Sequence, residues 1–381
     1  MHPFSLPRQR PSWVLPLLFG LAIGAGPSRD ARPAPPAEHP QTGGFNVIQA
    51  ENAPFGSDAA LHSFEALAAT GAGTVALIPF LWQPDAASGA IQLGSAVSDD
   101  QLLAGIREAK VQGLEVLLKP HVWVPGTWAG AIAPADAAAL DQWFDGYTAA
   151  IVHYAALADR AGVDALAIGT ELVQVAASPR WPAIIAAVRS VFRGRLTYVA
   201  HGLEGARRFP YWPLLDFVSL SLYPKLGADS SPTTLVAEMA PIAEEIEALG
   251  DTLGKPVWVA EVGLMSAEGA QAEPWLSPEQ RGGPAAPALQ ARVLRLWLET
   301  LARPGITHVL VWRWLTDPGA GGLDDLDFTV QNKPAERMLR CFWAAHCDAP
   351  AAPAPTEPGS PGPAAAPTLA KEKEPDVTPG R

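Results

Sequence analysis

Ala165-Leu166-Ala167-Ile168-Gly169-Thr170-Glu171 is a short apolar run that ends on a carboxylate, and Val257-Trp258-Val259-Ala260-Glu261-Val262-Gly263 repeats that plan later in the chain. Apolar runs of this length, bounded by glycine and rich in β-branched residues, read as strands buried on both faces. Six more share the pattern: Phe45–Ile48, Thr74–Ile78, Glu115–Leu118, Leu196–Val199, Phe217–Leu220 and His308–Val311. Helical periodicity fills the gaps, as in Asp99–Gln112, Pro134–Ala161, Trp181–Phe192, Thr233–Leu253, Ala286–Leu301 and Pro334 to about Ala345. Pro134 and Pro334 sit where a first helical turn accepts proline. Gly113, Gly162 and Gly254 sit where helices stop.

Strands separated by helices imply parallel pairing with crossovers. Eight such units imply a closed (β/α)8 TIM barrel, single domain. An open doubly wound sheet is the runner-up, but no glycine-rich phosphate loop follows the first strand. The loops after the second, third and seventh strands are long and carry Trp82, Trp123, Trp128 and Trp275. In a barrel these loops build the active face.

The ends of the 381-residue chain differ from its middle. Residues 1–32 carry Arg8 and Arg10 and then an apolar run from Trp13 to about Ala25, which reads as an N-terminal signal peptide. That run is shorter than the roughly 20 residues of a membrane span. The expectation is therefore a secreted or periplasmic protein with no membrane span in its mature form. Residues 33–43 read as a linker, 44–347 as the barrel, and 348–381 as a disordered Pro/Ala-rich C-terminal tail too poor in large apolar residues to offset its ordering entropy. A net charge of −12 opposes nucleic-acid binding and suits a neutral substrate. A monomer is the expected state. Cys341 and Cys347 are the two cysteines; they could pair only if the last helix ends near Ala345.

Strand alternation puts Glu171 on a face with Ala165, Ala167 and Gly169, and Glu261 on a face with Val257 and Val259. Both glutamates close a strand, the fourth and the seventh, so both stand on one rim of the barrel. Cleavage of a glycosidic bond needs two such carboxyl groups, one to protonate the leaving oxygen and one to attack or stabilise the anomeric carbon. A single glutamate after an apolar strand is usually a cap or a solvated rim charge. Two at matching places carry far more weight.

Gly169-Thr170-Glu171-Leu172 with Ala260-Glu261-Val262-Gly263 resembles the clan A glycoside hydrolases, the "4/7 superfamily". Lys119-Pro120-His121-Val122-Trp123, Ile168-Gly169-Thr170-Glu171-Leu172 and Ser221-Leu222-Tyr223-Pro224 look most like family 113 within it, known for β-mannanases. The resemblance runs from about Gly44 to Trp343. It implies that Glu171 is the acid/base, Glu261 the nucleophile and the reaction retaining. It also implies that Tyr223 bonds the nucleophile and that Trp312 or Trp314 forms the floor under the sugar. Most clan members have Asn before the acid/base; this chain has Thr170, whose hydroxyl is expected to donate to a sugar 2-hydroxyl.

The substrate-binding residues expected on the rim are Trp82, Lys119, His121, Trp123, Trp128, Thr170, His201, Tyr223, Trp312 and Trp314. Trp312 and Trp314 are expected on one face and Arg313 on the other. Asn46 and Glu51 lie near the first strand without an assigned role. The acidic group Asp317, Asp324, Asp325 and Asp327 lacks calcium-loop spacing. No motif points to a metal or a cofactor, and no serine-nucleophile elbow is present. Lys119 raises a Schiff-base alternative, which leaves the paired glutamates unexplained. The expected partner is a polysaccharide or oligosaccharide, with β-1,4-mannan as first guess. The rival reading is a non-catalytic glycan-binding, envelope-associated barrel.

Overall fold

A computed structural model of the protein describes residues 41–344. The signal peptide, most of the linker, Cys347 and the tail lie outside them. Among the described residues the strands are β1 (Thr42–Ile48), β2 (Thr74–Leu77), β3 (Phe80–Trp82), β4 (Gln92–Leu93), β5 (Glu115–Leu118), β6 (His121–Trp123), β7 (Ala165–Thr170), β8 (Arg195–His201), β9 (Val218–Leu222), β10 (Val257–Gly263) and β11 (Ile306–Leu315). The α-helices are α1 (Asp58–Ala68), α2 (Asp99–Val111), α3 (Ala137–Ala161), α4 (Trp181–Arg189), α5 (Gly202–Arg208), α6 (Pro232–Leu253), α7 (Pro287–Thr300) and α8 (Pro334–Ala344).

Eight strands close a parallel barrel in the order β1-β11-β10-β9-β8-β7-β5-β2, the (β/α)8 architecture. The first strand starts two residues inside the stretch expected to be linker. There Gln41 already takes part in the closure, since its Nε2 donates to the carbonyls of Leu301 and Ile306. A separate sheet, β4-β3-β6, rises from the second and third loops and has no counterpart in the sequence reading. Helix α3 begins at Ala137 rather than Pro134, because the Asp136 side chain accepts from Ala139 N and fixes the cap there. Gly162 and Gly254 end α3 and α6 in the left-handed conformation that glycine adopts without penalty.

Two cores result. The outer one lies between barrel and helices; in it Tyr147 stacks on Trp143 at 4.7 Å, and Tyr198 on Phe209 at 4.2 Å. Burial of each such side chain contributes about 1.5–3 kcal/mol. The inner one fills the barrel axis with small residues, Ala76, Ala165, Ala167 and Ala260, over a floor of Phe217 and Trp258. Polar groups plug that floor. Glu115 pairs with Arg195 and accepts from His308 Nε2 at 3.0 Å, and the Arg195 guanidinium lies 5.1 Å from the Trp258 ring centroid.

The inner core corrects the expected facing of β10. Val257 and Val259 pack in the outer core, whereas Trp258 and Ala260 point inward. Plain alternation would send Glu261 outward with the valines. The β9–β10 register shifts between Val259 and Glu261, and this bulge resets the phase so that Glu261 faces the axis. A similar shift in β7, between Ala167 and Thr170, separates Gly169 from Ala165 and Ala167; a Cβ at Gly169 would meet Tyr198 and Trp181 of the outer core. The β1–β11 register also shifts, at Asn46/Val47, which pair with Trp312 and Trp314. The two tryptophans therefore take opposite faces.

Candidate active site

Glu171 follows β7 directly, and its backbone φ of 54° is the left-handed region that a side chain seldom adopts. Two main-chain bonds hold it there: Glu171 N donates to Val199 O and Val173 N donates to Glu171 O, both at 2.8 Å. The side chain is as tightly defined. His201 Nδ1 lies 2.9 Å from Glu171 Oε1, and the Ser221 hydroxyl donates to the same oxygen. His121 Nε2 stands 3.8 Å from Oε2. Burial pushes the Glu171 pKa up, but the hydrogen bonds and positive charge of His121 and His201 outweigh it and hold the carboxyl well below the usual range. His201 is raised in turn, chiefly by its bond to Glu171.

Glu261 is buried and bound at both oxygens. Lys119 Nζ lies 2.5 Å from Oε2, and Tyr223 OH donates to Oε1 at 2.8 Å. Burial, and then the charge of Glu261, raises the Tyr223 pKa, so the phenol stays a donor. The end of β9 links the two carboxylates. Ser221 is the register partner of Glu261 yet bonds Glu171, and Tyr223, two residues on, bonds Glu261. Trp312 lies beside the Lys119–Glu261 pair, with Lys119 Nζ 5.4 Å from its ring centroid. Asn46, buried under this layer, donates through Nδ2 to Ala260 O at 3.0 Å and braces the strand that carries Glu261.

Two buried carboxylates, set at the C-terminal ends of the fourth and seventh barrel strands and held by different partners, are the equipment of glycosidic-bond cleavage. The family model for Glycoside Hydrolase Family 113 matches residues 45–333. The chain belongs to that family. It is a clan A glycoside hydrolase. Among solved structures it is similar to one described as a complex structure of a Family 113 β-1,4-mannanase, at 26% identity over 80% of this chain and 98% of that one, with TM-score 0.71. It is also similar to the Family 113 β-mannanase AaManA from Alicyclobacillus acidocaldarius in complex with ManMIm, at 25% identity over 80% of this chain and 96% of that one, with TM-score 0.69. The β-glucuronidase of Ruminococcus gnavus, at 13% identity over 80% of this chain and 50% of that one, with TM-score 0.53, shares the fold. No curated protein matches in sequence.

In this Family 113 chain Lys119, His121, His201, Tyr223 and Trp312 gather around the two glutamates. Two expected sugar contacts need correction. Trp314 is fully buried in the outer core, 4.9 Å from Phe45, and its indole donates to Ser63 Oγ; the register shift in β11 turned it away. Thr170 is also buried, and its hydroxyl donates to Pro120 O at 3.1 Å, so it ties two strand ends together instead of meeting a sugar.

The remaining aromatics lie further out. Trp123 and Trp82 are register partners in the loop-borne sheet, and Phe80 meets Trp123 edge-on at 6.0 Å. Trp82 lines a cavity of about 580 Å³ with Gln92, Gln142 and Asp145, apart from the carboxylates. Trp128 lies against His201. Ser221 was not among the expected site residues, although two serines spaced two apart in a short strand, Ser219 and Ser221, were a readable signal. Among the described residues no helix is long and apolar enough to cross a membrane.

Proposed function

We propose that this protein is an exported, retaining β-glycosidase acting on a β-1,4-linked mannan, with Glu171 as acid/base and Glu261 as nucleophile. The observation that carries this reading is the pair of strand-end carboxylates joined through Ser221 and Tyr223. In the first step a Glu261 oxygen attacks the anomeric carbon. The glycosidic C–O bond breaks, and the leaving oxygen takes a proton from Glu171. In the second step water attacks the same carbon, gives its proton to Glu171, and Glu261 departs as carboxylate. Lys119 and Tyr223 hold Glu261 aimed through contacts to its two oxygens. Trp312 offers an apolar face beneath the ring.

The depressed Glu171 pKa bears on the acid step. In the resting enzyme the catalytic proton resides in the His201–Glu171 pair and must sit on the carboxyl as the leaving oxygen departs. Mannan as substrate is supported by the two relatives described as β-mannanases, which this chain matches over most of their lengths.

The test is hydrolysis of mannan, glucomannan, xylan and cellulose, followed by NMR of the first-formed anomer. Release of β-anomeric mannooligosaccharides, abolished by Glu261→Gln in a folded protein, is the expected result. Inversion, or undiminished activity in the variant, would refute the assignment. Binding without reducing-end release would favour a glycan-binding barrel.

A further inference from the structure

We infer that Trp128 is the platform for the sugar ring on the leaving-group side of the scissile bond, so that the substrate glycan must continue past the cleavage point. This rests on the assignment of Glu171 as acid/base. Trp128 is 44% exposed and lies beside His201, the partner of Glu171. Yet its ring is not loose. A Cβ on Gly130 would come 2.1 Å from Trp128 Cη2, so the absence of a side chain at that position makes the seat on which the indole lies. The His201 ring flanks it, with centroids 4.7 Å apart. The backbone around it is anchored on buried side chains, Ala129 and Ile132, and Ala131 N donates to Trp128 O at 3.0 Å.

An exposed but pinned aromatic surface suits the apolar face of a pyranose, because little side-chain freedom is lost on binding. Its position gives the direction. His201 connects Trp128 to Glu171, the group that protonates the leaving oxygen. Trp312 stands instead with Lys119 beside Glu261, the group that attacks the anomeric carbon. A sugar over Trp312 is therefore the one attacked, and a sugar over Trp128 is the one expelled. The ligand class is a β-linked pyranose acting as leaving group.

The experiment compares two substrates. One is a mannooligosaccharide, whose leaving group is a sugar; the other is the matching glycosyl fluoride, whose leaving group has no ring to stack. The readout is the ratio of their kcat/KM values. Trp128→Ala should lower that ratio at least tenfold, Gly130→Val should lower it in the same direction by unseating the ring, and Trp128→Phe should restore most of it. Equal losses on both substrates, or no loss on either, would overturn the platform. Failure of the unaltered enzyme to cleave either substrate would instead bring down the two-glutamate reading beneath it.

Discussion

Lys119 Nζ and Glu261 Oε2 meet at 2.5 Å across the full width of the barrel: β5 and β10, which carry them, stand four places apart in the ring of eight. The lysine is wholly buried. Removing one member of such a pair strands the other charge in a low-dielectric interior, at a cost of about 3–5 kcal/mol. Lys119→Met should therefore lower the denaturation midpoint strongly. Lys119→Met combined with Glu261→Leu should recover part of the loss. An unchanged midpoint in the single variant would contradict the pairing.

The His201–Glu171 bond predicts a movement of the pH–rate profile. The pair keeps its last proton up to the raised pKa of His201, so the basic limb of kcat/KM for a sugar leaving group should lie on the alkaline side of an ordinary histidine. In His201→Asn the histidine bonded to Glu171 Oε1 is gone, and the limb should move to lower pH. Profiles that superimpose would show that His201 takes no part in proton supply.

Trp312 and Trp314 should separate cleanly by kinetics and stability. Trp312→Ala removes the floor beneath the attacked sugar, and kcat/KM for mannooligosaccharides should fall by at least tenfold. Trp314→Phe loses the bond to Ser63 and part of the packing on Phe45. It should lower the melting temperature by a few degrees with kinetics near those of the parent. The opposite assignment of effects would mean that the turn in β11 is misplaced.

His308, stacked on Trp258 at 3.7 Å, should make the barrel floor sensitive to acid. Burial, and then the charge of Arg195, lowers its pKa to about 3. The unfolded chain thus binds a proton that the folded one refuses, and stability falls as pH drops from about 6.5, the free-histidine value, toward 3. His308→Phe should flatten this dependence as followed by urea midpoints. An equally steep loss in the variant would place the acid sensitivity elsewhere.

Much of this was legible because the barrel strands are uninterrupted apolar runs, and because Glu171 and Glu261 end two of them. The facing of side chains was less so. Alternation counts residues, but the bulges in β7, β10 and β11 each shift the count. Those shifts decide that Glu261 points inward and that Trp314 does not. A bulge arises from how a strand meets both neighbours, which a linear pattern does not encode. The loop-borne sheet escaped for a related reason: Phe80–Trp82 and His121–Trp123 are too short to form strands alone and are held by pairing with each other.

Closure of the ring joins the first strand made to the last. Thr42 pairs with His308 and Ile48 with Leu315, so the seam is sealed by partners from opposite ends of the folded segment. Until β11 exists, β1 has one exposed edge and the axis stands open to water. Assembly must therefore await nearly the whole domain, and contacts this distant in sequence make for slow folding. A chain truncated before Ile306 would lack the Trp312 floor, and would also leave an unsealed sheet prone to pair with other chains.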